Sequence, residues 1–77
     1  MSYVEDTALE LAQLAFQEAR ESGDDAIIKQ IDDVVGASSQ GLQEAYSAFV
    51  RVLRAEERAR KLLAESAARR QAPPPAG

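Results

Sequence analysis

The chain of 77 residues contains no cysteine, no histidine and no tryptophan. Without cysteine there can be neither a disulfide framework nor a thiolate metal site. Without histidine the usual general base at neutral pH is missing, and so is the commonest metal ligand. Two tyrosines and two phenylalanines are the whole aromatic inventory, too few for a platform on which bases or sugars stack. No run of about 18 apolar residues occurs, so no membrane span is expected. The N-terminus has no basic region followed by an apolar stretch, so no signal peptide is expected. The default expectation is a cytoplasmic protein without catalytic, cofactor or metal site. The alanine content and the use of arginine over lysine suggest a GC-rich bacterial or phage genome.

What is present is helix-forming sequence of small-domain size. A core of 77 residues is marginal, and chains this short often gain stability by association. The formal charge is −4, unevenly spread. Residues 1–36 hold nine acids and two bases, whereas residues 37–77 hold four acids and seven bases. The simpler reading of this asymmetry is that the helices attract one another within the fold. The alternative is an acidic face for one partner and a basic face for another.

The first helix is predicted over about Glu5–Glu21. Ser2 or Asp6 can cap it, and Glu5, Asp6 and Glu10 complement the helix dipole. Val4, Ala8, Leu11, Ala15 and Ala19 share an arc with Leu9, Ala12 and Phe16. Asp6, Glu10, Gln13, Gln17 and Glu21 lie on the opposite side. Gly23 ends this helix, and Asp24 or Asp25 starts the next. The second helix is predicted over about Asp25–Val35, with Ile27, Ile28, Ile31, Val34 and Val35 on one face and Gly36 as its stop. These five are all β-branched, so a strand competes, but they do not alternate as a strand would.

The third helix is predicted over about Ser39–Arg70, a rod of roughly 45 Å at ~1.5 Å per residue. Its first half should pack inward through Leu42, Ala45, Tyr46, Phe49, Val52 and Leu53. Its far half carries a further apolar line, Ala55, Ala59, Leu62, Leu63 and Ala67, which two shorter helices cannot cover. Glu56–Arg60, Glu57–Lys61 and Glu65–Arg69 are spaced as favourable i, i+4 pairs. The domain is expected to span 1–71, with residues 72–77 a flexible proline-rich tail.

Arg51, Arg54, Arg58 and Lys61 form a basic stripe beside the apolar line. Such a stripe can grip phosphates, or it can flank a coiled-coil seam and pair with a partner's acids. Protein pairing is favoured, because the whole chain is acidic. Asp6, Glu10 and Glu21 make a second, acidic face of matching helical spacing. The carboxylate pairs Asp24/Asp25 and Asp32/Asp33 are read as caps and solvated faces, not as general acids or cation ligands.

The segment Ile31-Asp-Asp-Val-Val-Gly36-Ala-Ser38-Ser-Gln-Gly-Leu42 resembles the turn of a helix-turn-helix. It has a short helix, a glycine, a small residue, a serine cap and an apolar residue beyond. The resemblance covers about 20 residues and implies that Ser39, Gln40, Gln43 and Glu44 begin a recognition helix. It departs from the pattern at Asp32, where a small packed residue belongs, and the reading surface has no base before Arg51.

The expectation is therefore an all-α protein in which two helices pack on the first half of a long third. Its function would be that of a non-enzymatic interaction module — adaptor, inhibitor or assembly subunit — that self-associates or docks through the third helix. Ala55, Ala59, Leu62 and Leu63, with Arg51, Arg54, Arg58 and Lys61, would make the contact. A helix-turn-helix DNA-binding regulator is the first alternative. An acidic inhibitor occupying a partner's nucleic-acid-binding surface is the second.

Overall fold

The computed structural model describes residues 2–72; the proline-rich tail expected at the C-terminus lies, from residue 73 on, outside them. Three helices follow one another: α1 Tyr3–Ser22, α2 Ala26–Ser38 and α3 Gln40–Gln71. No strand forms among the described residues, so the β-branched run of α2 is helical. The architecture is the all-α three-helix arrangement the sequence predicts, with a long C-terminal helix.

Local chemistry accounts for each boundary. Ser2 and Glu5 form a reciprocal capping box at the start of α1. The Ser2 hydroxyl accepts from the Glu5 amide at 3.2 Å, and the Ser2 amide donates to the Glu5 carboxylate at 3.4 Å. Gly23 closes α1 at φ 74°, a left-handed conformation that costs glycine nothing, and its amide donates to the Ala19 carbonyl at 2.9 Å. At the start of α2 the carboxylate that accepts is that of Asp24, from the Ala26 amide at 2.9 Å; the Asp25 side chain makes no capping bond.

The end of α2 differs from expectation. Gly36 does not stop the helix, which runs on to Ser38. Glycine costs an interior helical position only about 1 kcal/mol, and here it makes room: a Cβ on Gly36 would collide with the amide of Gln43. That amide instead lies over α2 and donates to the Asp32 carbonyl at 3.3 Å and to its carboxylate at 3.4 Å. Ser39 is then the one residue between α2 and α3, and it serves both. Its amide donates to the Val35 carbonyl at 2.8 Å, while its hydroxyl accepts from the Leu42 amide at 3.1 Å. The turn implied by the helix-turn-helix resemblance is therefore not formed.

The contacts also fix direction. Arg54 lies over the Phe16 ring, 5.6 Å from its centroid, and one turn further on Arg20 borders a groove with Glu57 and Arg60. Thus α1 and α3 run parallel. Tyr46 meets Ile28, whereas Gln43, one turn earlier, meets Asp32 and Gly36, so α2 runs antiparallel to α3.

The core is thin. Ala8, Ala12, Ala15 and Phe16 of α1, Ile28 of α2 and Tyr46 of α3 are its buried members. The alanines let α1 approach its neighbours closely. Tyr46 belongs to the same buried cluster, and its hydroxyl donates to the Ile28 carbonyl at 2.8 Å. Leu11, Ile27, Ile31, Leu42, Phe49, Val50 and Leu53 pack around this centre, partly covered. Three residues assigned inward by spacing are exposed instead, among them Val4 at the first turn of α1, 41% exposed. Val34 is 67% exposed and Val52 60%; Val50 takes the inner place expected of Val52. A small core cannot cover every apolar residue of a helix that is apolar around much of its circumference.

Beyond Leu53, α3 leaves the core. From Arg54 to Gln71 every residue is exposed except Ala67, which is half-buried. Arg20 of α1 reaches as far as Arg60 and Lys61, so α1 borders more of the rod than its first half. Some ten residues remain past that point, ~15 Å of helix. The radius of gyration is 17.1 Å, against ~11.5 Å for a compact chain of this length.

Candidate interaction surface

The apolar residues predicted on the far half of α3 are displayed. Leu62 is 62% exposed and Leu63 69%, and Ala55 and Ala59 are exposed beside them. Ala67 falls on the side facing the core axis and does not join them. At ~100° per residue, Ala55, Ala59 and Leu62 lie nearly opposite Tyr46, on the side of α3 turned away from α1 and α2. Val52 and Ala48, both exposed, extend the same face back over the folded part of the molecule. Sequence reasoning missed this extension because it assigned Val52 to the inner face. The exposed side of the first half and that of the second are one continuous surface.

The basic residues divide. Arg51 and Arg58 stand along one edge of this outer face, exposed and without an ion pair among the described residues. Arg54 is turned inward over Phe16, where its cation meets the ring face. Lys61 and Arg58 gather with Arg20 and Arg60 around Glu57 at the end of α1. Arg20 was not foreseen in this group; its place in the last turn of α1, next to a parallel helix, was the available signal.

Asp6, Glu10 and Glu21 are all exposed on α1. Glu21 accepts a bond from Gln17 at 3.2 Å. Since α1 and α3 run parallel, Asp6 and Glu10 lie toward the opposite end of the molecule from Arg58 and Lys61. The ion pairs among the described residues all join positions within one helix: Lys29 with Asp32 and Asp33, and Arg60 with Glu56. Glu57–Lys61 and Glu65–Arg69, expected from spacing, are not among them. The acidic and basic halves thus do not close on each other through ion pairs between the described helices. Both charge faces stay open to solvent.

The remaining carboxylates are structural in their geometry. Asp24 caps α2. Asp32 is part-buried and accepts from the Ser47 hydroxyl at 2.9 Å as well as from Gln43, tying α2 to α3. Asp33 bonds Lys29, which holds the lysine above its ordinary value, first through that hydrogen bond and then through the charge of Asp33. Burial pushes the Tyr46 phenol up, with the nearby Asp32 charge adding to the shift and Arg54 opposing it. Among the described residues no three metal-ligating side chains gather at one place. None of the helices there is long and apolar enough to cross a membrane.

Gln43, placed by the helix-turn-helix resemblance on a reading surface, is occupied in bonds to Asp32. Gln40 and Glu44 are exposed and bond each other at 3.2 Å. A second, smaller apolar patch lies between α1 and α2, where Leu14, 51% exposed, borders a groove with Leu11, Ile27 and Ile31. No protein-family model matches this chain, and comparison with curated proteins and with solved structures likewise finds no match.

Proposed function

We propose that the chain is a non-enzymatic helical interaction module, an adaptor or assembly subunit that binds protein through the outer face and free end of α3. The observation that carries this reading is the exposure of Leu62 and Leu63 on a helix that continues some ten residues past its neighbours. Fully burying a leucine stabilises by about 1.5–3 kcal/mol. With roughly two-thirds of each side chain in water, about 1–2 kcal/mol per leucine remains to be gained on binding. Arg51 and Arg58 at the edge favour a partner that offers acids along its own apolar line. DNA reading has less support, since Gln43 is engaged within the fold and the chain is acidic overall.

The double change Leu62→Glu with Leu63→Glu tests the proposal. Neither residue belongs to the core cluster, so the far-UV dichroism and the melt should stay as they are at a concentration low enough to avoid association. Association, whether with itself or with a protein from the source cell, should be lost. A wild-type chain that remains monomeric at every concentration and captures no protein would refute the reading.

A further inference from the structure

The exposed face of α3 has a periodicity of its own. Ala48, Val52, Ala55, Ala59 and Leu62 follow one another at intervals of 4, 3, 4 and 3 residues, and Ser66 continues the series four residues on; all six are exposed. Five are apolar, the sixth is small and uncharged, and no charged residue interrupts them, although the helix around them is densely charged. A strict 4–3 spacing is a seven-residue repeat, which drifts by ~20° per heptad and closes only against another helix in a left-handed supercoil. In heptad terms Val52, Ala59 and Ser66 are at a, while Ala48, Ala55 and Leu62 are at d. The two large residues sit where parallel dimers prefer them, β-branched at a and leucine at d. Ser66 closes the series at its open end, where the hydroxyl keeps access to water. The inner face of α3, through Tyr46 and Leu53, is a separate stripe that α1 and α2 cover.

The flanking charges select the occupant. The g positions are Arg51, Arg58 and Glu65, and the e positions five residues on are Glu56, Leu63 and, just past Ser66, Arg70; the first e residue, Phe49, packs against the core of its own chain. In a parallel, in-register pair each g residue meets the e residue five positions on in the other chain. Arg51 then meets the partner's Glu56, and Glu65 meets the partner's Arg70. Arg58 lies along the partner's Leu63, and no like charges oppose. Antiparallel pairing over the same six residues matches Arg51 with the partner's Glu65. It also sets Arg58 beside the partner's Arg58 and Glu56 beside the partner's Glu56, two like-charge contacts at the centre of the seam. Among the described residues Arg51, Arg58, Glu65 and Arg70 have no ion pair within the chain. Glu56 is bonded to Arg60, but its side chain is 46% exposed and has oxygen sites left to share. The helices α1 and α2 cover the inner stripe of each α3 and leave the six a and d residues exposed, with Arg51 bordering the groove toward α2 and Arg58 the one toward Arg20 of α1.

We infer that the partner of this outer face is a second copy of the chain, joined by α3 in a parallel, in-register two-stranded coiled coil along Ala48–Ser66. The inference rests on the reading of α3 as the docking helix and names its occupant. A seam composed mostly of small residues is closely spaced but buries little area per layer, so the dimer exchanges with monomer and its mass depends on concentration.

The absence of native cysteine makes the test direct. Ala48→Cys should give a disulfide-linked dimer in oxidised glutathione, because residues at the same d position of a parallel pair fall within bonding distance. Mixed with the Ser66→Cys chain, it should still link to itself and not across to position 66, which an antiparallel overlap would bring opposite. Sedimentation of the cysteine-free chain should show a monomer–dimer equilibrium whose dissociation constant rises at least tenfold in Leu62→Glu. Leu14→Glu, on α1, should leave it unchanged. A chain that is monomeric throughout, or in which position 48 links only to position 66, overturns the inference. A monomeric chain that instead binds a different protein, and loses it with Leu62→Glu and Leu63→Glu, overturns the homodimer while leaving the docking role of α3 standing.

Discussion

Replacing Tyr46 with phenylalanine removes one oxygen from the centre of the molecule, and its effect can be worked out from the contacts. The Tyr46 side chain is the largest fully buried one among the described residues, and its hydroxyl gives a hydrogen bond, 2.8 Å to the Ile28 carbonyl, that holds the first turn of α2 to α3. A hydrogen bond of this kind contributes about 0.5–1.5 kcal/mol net, and leaving the buried acceptor without it adds to the loss. The ring stays, so the cavity is no larger than one oxygen. Together these give about 1–2 kcal/mol. In a domain of this length that is a fall in Tm of about 4–16 °C. The measurement is a thermal melt followed by far-UV dichroism, at a concentration low enough to avoid association. It has a second reading in alkali. The folded phenol is held above its ordinary value by burial, so its contribution is fully present below the unfolded value of about 10. Above that pH the unfolded chain ionises first, and the wild type loses stability as pH climbs toward the folded value. The phenylalanine variant has no such group at this position, so the gap between the two melts should narrow above about pH 10. Lys29, also raised, is common to both proteins and cancels from the comparison. Equal melting temperatures at neutral pH, or a gap that does not change in alkali, would refute the buried, bonded phenol.

Two further outcomes follow from the same packing. Ile28→Ala should cost about 2–5 kcal/mol in urea denaturation, and because Ile31 is only partly buried, Ile31→Ala should cost about half as much; the reverse order would mean that α2 is rotated from the position described here. Gly36→Ala should change stability by less than about 0.5 kcal/mol, since the gain in helix propensity is offset by displacing the Gln43 amide from Asp32; a loss above about 2 kcal/mol would show that Gln43 has nowhere to go.

The helices were legible in the sequence because caps and breaks are local chemistry. Ser2 with Glu5, the left-handed Gly23 and the Ser39 cap all act within four residues, and each lies where spacing places it. Gly36 misled because its role is not local. It accommodates a side chain seven residues further on, and nothing in the residues beside it announces that. Val52 and Val34 misled for a different reason. A helix with apolar residues on two sides has no single apolar arc, and an angular average merges the inner stripe of α3 with the outer one. Which stripe α1 and α2 occupy is decided by how Tyr46 packs into the core that the three helices share, a tertiary fact. Of the residues put forward for partner contact, Leu62, Leu63, Arg51 and Arg58 stand ready on the surface, and Arg54 is turned to Phe16.

The single-residue junction at Ser39 has a consequence for how the molecule can change. Because Ser39 closes α2 and opens α3 with no slack, the rotational phase of the rod is set against the short helix before it. One inserted residue here would turn α3 by ~100° relative to α2. Tyr46 would swing away from Ile28, and a charged edge of the rod would meet the core in its place. Substitutions can tune either side of α3 separately, but a length change at this joint would alter both together. At the Gly23–Asp25 turn no single residue caps both helices, so a length change there leaves the phase of α3 against α2 as it is.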